Sequence, residues 1–184
     1  MEEILKYLHS IHPLTDELQD HLRQGMKVEF VKKEDYILSC GNICKRIYFI
    51  EKGLLRCFYL EHDKEVCSWF MKEGDLAISV RSFFQQLPSN ENIQALEDCT
   101  LHYVTYDELQ FIYHKFPQFN FNGRVLTEKY YALSEERLFS IRMHTALERY
   151  KYILNHSPEL IKRIYTKHLA SYLGITAEHL STIK

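Results

Sequence analysis

The 184-residue chain has no apolar run approaching the ~20 residues that a membrane-spanning helix needs. Its opening, MEEILKYLHSIHP, is acidic and amphipathic, so it is no secretory signal. The cysteines, Cys40, Cys44, Cys57, Cys67 and Cys99, are odd in number. That suits a reduced, cytoplasmic protein better than a secreted disulfide scaffold. Internal repeats and low-complexity tracts are missing. So are a phosphate-cradling glycine loop, an HExxH pair and a nucleophile elbow. Glu73 and Asp75 read as turn residues or ligand contacts rather than as a catalytic pair. No catalytic residue and no metal ligand is assigned, and the chain is expected not to be an enzyme.

What is present is a 46% hydrophobic sequence with 13 Tyr and 11 Phe, enough for an aromatic core in one large or two small domains. The net charge of −2 hides a division. Residues 1–136 carry 15 Lys/Arg against 22 Asp/Glu, whereas residues 137–184 carry 8 against 3. His144, His156, His168 and His179 add to the basic end. An acidic body with a basic tail is the asymmetry of a protein that meets a polyanion at one end.

Residues 2–9 and 14–24 read as short helices, the second started by Pro13 with Thr15 or Asp16. From Lys27 the period becomes that of strands. The strongest hairpin signal is RIYFIEKGLLRCFYL, residues 46–60, where Gly53 supplies a positive φ for the turn. Turns at 61–64 and 72–75 bracket the strand 65–71 and lead into LAISV; strands resume over 92–104 after an irregular stretch, 81–91. Short strands so spaced predict a small antiparallel barrel or roll. Thr105 should cap a helix over 106–116. Residues 119–156 contain no proline and one glycine, and read as a long connecting helix. Leu126, Tyr130 and Leu133 form its candidate dimerisation seam. Core packing against the strands explains part of the same stripe.

The last twenty-one residues, IYTKHLASYLGITAEHLSTIK, have the spacing of a helix-turn-helix. Small Ala170 permits close helix approach, Gly174 serves the turn, and Thr176 stands where an N-cap belongs. Leu169, Leu173, Ile175, Leu180 and Ile183 supply the apolar contacts.

The words IYFIEKGLLRCFY (47–59), GDL (74–76), ALED (95–98), ERYKYIL (148–154) and HLASYLGITAEHLSTI (168–183) together resemble the Crp/Fnr superfamily of bacterial transcription factors. The likeness spans nearly the whole chain. It is strongest to the short Crp/Fnr-type regulators of Bacteroidetes. The resemblance implies an α+β protein with three parts. An antiparallel β-roll of the cyclic-nucleotide-binding, jelly-roll type occupies 1–118, with flanking helices. A dimerisation or connector helix occupies 119–156, and an all-α, winged-helix-like DNA-binding domain occupies 157–184. The final helix ends at Lys184, either because the natural tail is short or because the sequence is truncated.

For the roll, the resemblance implies a ligand loop opened by Gly74, Asp75 and Leu76, with Asp75 in place of a longer carboxylate. Ser89 and Asn90 occupy the closing position, where nucleotide-binding members carry an arginine and a hydroxyl, and Glu91 follows. A carboxylate repels a phosphate and the bidentate arginine is missing, so cyclic AMP is not the expected ligand. Arg81 and Ser82 lie earlier in the loop and suit a different anion. No cysteine precedes Cys40 to build an iron–sulfur cluster, and none of the ten His is marked out as a haem ligand. No cofactor is assigned beyond a small-molecule or cyclic-nucleotide-like effector.

On DNA, the readout face is Ala177, Glu178, His179, Ser181 and Thr182. Glu178 matches a glutamate that accepts from cytosine N4, while Ala177 and Thr182 replace its flanking arginines. Lys162, Arg163, Lys167, His168 and Lys184 are the candidate phosphate contacts, each otherwise read as a solvated surface charge. The expected function is a ligand-responsive regulator that binds a palindromic duplex as a homodimer, with RNA polymerase as a further partner and no membrane. The rival expectation is a sensing or protein-interaction module that no longer binds DNA specifically.

Overall fold

A computed structural model describes residues 1–183, and Lys184 lies outside them. Two short amphipathic helices come first. In α1 (Glu2–Ile11) Ile4, Leu5 and Leu8 are buried; in α2 (Asp16–Gly25) Leu18 and Leu22 are. The Thr15 hydroxyl caps α2 by accepting from the Leu18 amide at 3.3 Å.

Eight strands follow: β1 (Lys27–Val31), β2 (Tyr36–Leu38), β3 (Arg46–Lys52), β4 (Leu55–Glu61), β5 (Lys64–Met71), β6 (Leu76–Ala77), β7 (Asn92–Ala95) and β8 (Cys99–Thr105). One sheet has the order β1-β8-β3-β6, the other β2-β7-β4-β5. The outermost strands in sequence pair with each other, then the next, down to β4 with β5. This nested pairing is a jelly roll. Its centre holds Ile50, Leu54, Leu55, Ile93 and Leu101, none more than 1% exposed.

The nesting corrects one expectation. Residues 46–60 are two strands, but not a hairpin, because β3 is flanked by β8 and β6 while β4 lies in the other sheet. Gly53 does take a positive φ, +109°. It serves a crossing between sheets, where a Cβ would stand 2.4 Å from the Cys99 sulfur. The true hairpin is β4–β5, turned by His62 (φ 48°) and Asp63 (φ 64°). Nor is 76–91 strand and then irregular chain: β6 is two residues long, and Val80–Gln85 forms α3, stopped by Gln86 in the left-handed region.

The Thr105 hydroxyl caps α4 (Tyr106–Lys115) through the Glu108 amide at 3.2 Å. Then comes α5 (Phe119–Met143), 25 residues and so about 37 Å long. The expected continuous helix over 119–156 is broken at His144–Thr145. There Thr145 and Glu148 form a reciprocal capping box that begins α6 (Ala146–His156). After α7 (Pro158–Arg163) the chain closes with α8 (Thr166–Leu173) and α9 (Ala177–Ile183).

The chain divides into two compact units. One comprises residues 1–57 and 70–127. The other comprises 58–69 and 128 onward, so it includes the tip of the β4–β5 hairpin as well as the C-terminal helices. In this second unit Ser171 of α8 is inserted against β5. Its hydroxyl accepts from the Cys67 amide at 2.9 Å and donates to the Glu65 carbonyl at 2.8 Å. Arg149 of α6 donates to the carbonyls of Ile141 and His144 at the end of α5 and to that of Leu173 at the end of α8. The Arg137 guanidinium lies 3.6 Å from the centroid of the Tyr172 ring and donates to the Tyr172 carbonyl.

Candidate functional site

In the roll, the segment that carries the ligand expectation runs from the β5–β6 turn to β7. Gly74, with φ +85°, and Asp75 form that turn. The Asp75 carboxylate accepts from the Lys72 amide at 3.0 Å, and its backbone joins Ile50 of β3. Gly74 and Asp75 therefore precede β6, which Leu76 begins, and the three do not open the helical part of the loop. That opening falls to Ile78 and Ser79, immediately before α3, and to Val80, its first residue.

Ser79 is the residue the sequence reading missed. It is 3% exposed, and its hydroxyl donates to Glu91 Oε1 at 2.5 Å and lies 3.2 Å from the Ser89 hydroxyl. The other Glu91 oxygen accepts from the Cys57 thiol at 2.7 Å. Ser89, also buried, bonds its hydroxyl to the Glu91 backbone. A carboxylate thus sits among two buried hydroxyls of this loop and the buried thiol of Cys57 on β4. Burial is also the largest influence on the nearby Cys44, pushing its thiol pKa up.

The remaining ligand candidates are distributed. Ser82 is buried and structural, accepting from the Cys44 amide at 2.8 Å and donating to the Leu87 carbonyl. Arg81 and Asn90 are exposed. The sequence reading also passed over Arg56, 2% exposed on β4, which donates from Nε and Nη2 to Gln94 Oε1 at 2.9 and 2.6 Å. The signal was an arginine in the apolar run LLRCFY, where a strand turned inward must find it partners.

In the second unit, Gly174 ends α8 in the left-handed region at φ 69°, and its amide reaches the Ala170 and Ser171 carbonyls. The Thr176 hydroxyl accepts from the His179 amide at 3.2 Å, beginning α9 after a three-residue turn. Leu169, Ala170, Leu173 and Leu180 are buried between the elements. Glu178, His179, Ser181 and Thr182 are exposed together on α9, Ala177 is half-buried, and Lys167 is exposed on α8. His168, by contrast, is buried, its Nδ1 3.7 Å from Glu65 Oε2. Lys184 falls outside the described residues. Leu126, Tyr130 and Leu133 are half-buried on α5. The more exposed apolar side chains of that helix are Phe121, Tyr131, Leu138, Phe139, Ile141 and Met143.

No helix among the described residues is long and apolar enough to cross a membrane, and no group of three or more metal-ligating side chains is gathered among them. A comparison with curated proteins finds no sequence relative. Solved structures, however, share the fold. FixK2 from Bradyrhizobium japonicum is 16% identical, with a TM-score of 0.72 over 86% of this chain and 82% of its own. The c-di-GMP-responsive global regulator CLP of Xanthomonas campestris is 14% identical, at 0.72 over 92% and 89%. A Eubacterium rectale protein described as a Crp/Fnr-family transcriptional regulator is 15% identical, at 0.73 over 92% and 82%. Residues 28–116 match the family model of the cyclic nucleotide-binding domain, and the fold is shared with a protein described as a Crp/Fnr-family regulator.

Proposed function

We propose that the protein is a ligand-responsive, DNA-binding transcription regulator of Crp/Fnr type that acts in the cytoplasm as a homodimer. The observation that carries this reading is the reach of the shared fold, 82–89% of the length of those three regulators. It extends past the roll into the C-terminal helices. The α8–α9 pair supports it with a helix-turn-helix geometry and an exposed polar face on α9. The apolar side chains exposed on α5 suit a second copy of the chain, which would place two α9 helices about one helical turn of DNA apart.

The ligand is not expected to be cyclic AMP. Glu91 holds its carboxylate among the hydroxyls that would otherwise donate to a phosphate, and Arg81, the arginine of the loop, is exposed and does not bond it. Gly74 and Asp75 serve the turn and Leu76 begins β6, leaving Ser79, Ser89 and Glu91 as the polar groups that would face an effector.

Gel-shift titration of the full chain against a genomic fragment library at two salt concentrations tests DNA binding. A sequence-selective, salt-sensitive complex at micromolar protein is expected. Lys167→Ala should weaken all complexes alike and reduce the salt slope by about one. Glu178→Ala should relax discrimination at one base pair by ~1–3 kcal/mol. Between Ala177 and Ile183 there is no Lys or Arg. That favours the second reading, a sensing module without specific DNA binding, if no selective complex forms.

A further inference from the structure

A cleft of about 300 Å³ opens in the roll, and none of its lining residues belongs to the 78–91 loop. Its apolar lining comes from Ile37, Leu38, Ile43, Ala77 and Ile93, with the Tyr48 ring beside them. Its polar lining comes from Ser39, Asn42 and Lys45 of the β2–β3 connection, from Arg46 at the start of β3 and from Tyr36 of β2. The cleft sets convergent polar groups beside apolar side chains, with the polar share of its lining the larger, and its volume is at the small end of the range of small-molecule sites.

The polar groups have capacity left. Arg46 Nη1 donates to Glu29 Oε2 at 2.8 Å and to the Tyr48 hydroxyl at 3.3 Å, and the guanidinium stacks 4.4 Å from the Tyr103 centroid. Its Nε and Nη2 bond no described group. The Ser39 hydroxyl, the side-chain amide of Asn42 and the Lys45 ammonium also have no partner among the described residues. Two cations face one carboxylate here, so the local charge is positive, and a guanidinium fork fits a carboxylate.

We propose that this cleft binds a small organic carboxylate with an apolar body, the carboxylate on Arg46 and the body against Ile37, Leu38 and Ile93. The site is independent of the 78–91 loop yet wired to it. The Gly41 amide donates to the Ser89 carbonyl and the Ser89 amide to the Asn42 carbonyl, each at 2.8 Å, while the Cys44 amide reaches Ser82. An occupant that pulls on the β2–β3 connection moves the partners of Ser82 and Ser89.

Calorimetric titration of the full chain tests the assignment with phenylacetate and octanoate as probes, phenylacetamide as the uncharged analogue and inorganic phosphate as the bare anion. At least one carboxylate should bind with a Kd of about 1 mM or tighter. Phenylacetamide and phosphate should bind at least about tenfold more weakly. Arg46→Gln should cost about tenfold. Asn42→Trp, on an exposed turn, should block the mouth to a similar degree in a chain that keeps every Arg46 contact. Arg81→Gln, in the other loop, should change nothing. Failure of both carboxylates, equal binding of the amide, or a loss caused by R81Q and not by R46Q or N42W overturns the proposal.

Discussion

Replacing Gly53 by alanine should be far more damaging than the same change at two other glycines with the same backbone sign. Gly53, Gly41 and Gly74 have φ values of 109°, 87° and 85°. Around Gly41 and Gly74 an added Cβ meets nothing within 4 Å. At Gly53 it stands 2.4 Å from the Cys99 sulfur and 2.9 Å from the Cys99 Cα, and the second of these is backbone that cannot swing aside. Left-handed backbone costs an L-residue about 1–2 kcal/mol, which all three variants share. Forcing a methyl into a packed core adds about 1–3 kcal/mol, which only Gly53→Ala incurs. The total, about 2–5 kcal/mol, is a large part of a typical folding free energy of ~5–15 kcal/mol. It corresponds to a melting point lower by about 4–20 °C at this chain length.

Urea denaturation followed through the single tryptophan, Trp69, measures the three variants side by side. Cys99→Ala combined with Gly53→Ala should recover part of the loss, because the nearer of the two collisions disappears. If Gly53→Ala is no worse than Gly41→Ala, within ~0.5 kcal/mol, the close crossing between sheets is refuted.

Ser171→Ala leaves the Cys67 amide and the Glu65 carbonyl without their side-chain partner and should cost about 1–3 kcal/mol; hydrogen exchange at the Cys67 amide should quicken, and an unchanged rate would argue against the contact. Burial raises the Tyr48 pKa to about 12 and that of Cys99 to about 11, so the folded state favours their protonated forms. The stability they confer is complete below pH 9.0, the ordinary thiol value, and is lost as pH rises toward 11 and 12. Tyr48→Phe should flatten the fall above pH 10, as read from denaturant midpoints across pH. Cyclic AMP should leave the melting temperature of the protein unchanged; a ligand present at a hundred times its Kd would add about 2.7 kcal/mol, so a rise of several degrees would contradict the role given to Glu91.

Strand and helix positions were largely legible because the hydrophobic period changes sharply at Lys27 and again at Thr105. Pairing was less so. A β-rich run on each side of Glu51-Lys52-Gly53 looks the same whether the chain folds back or crosses to another sheet, since local sequence does not reveal which strand covers which edge. The break in 119–156 was legible and overlooked: Thr145-Ala-Leu-Glu148 has the spacing of a capping box, and continuity was inferred from missing proline instead. In the loop, the motif at Gly74 drew attention through its resemblance, while Ser79 had no motif to mark it. Its part follows from a hydroxyl 2.5 Å from Glu91, a distance that only folding creates. The Thr176 cap and the Gly174 turn were read correctly because both depend on backbone geometry within a few residues.

The Arg149 contacts have a consequence for how the second unit holds its shape. A helix C-terminus carries partial negative charge, so the ends of α5 and α8 would repel when brought near one another. One guanidinium between them turns that repulsion into a common attraction and fills carbonyl valences at both ends. The cation is an arginine, whose rigid fork of donors reaches carbonyls in several directions at once. Any movement at His144–Thr145 therefore has to break the Arg149 contacts to both helix ends together.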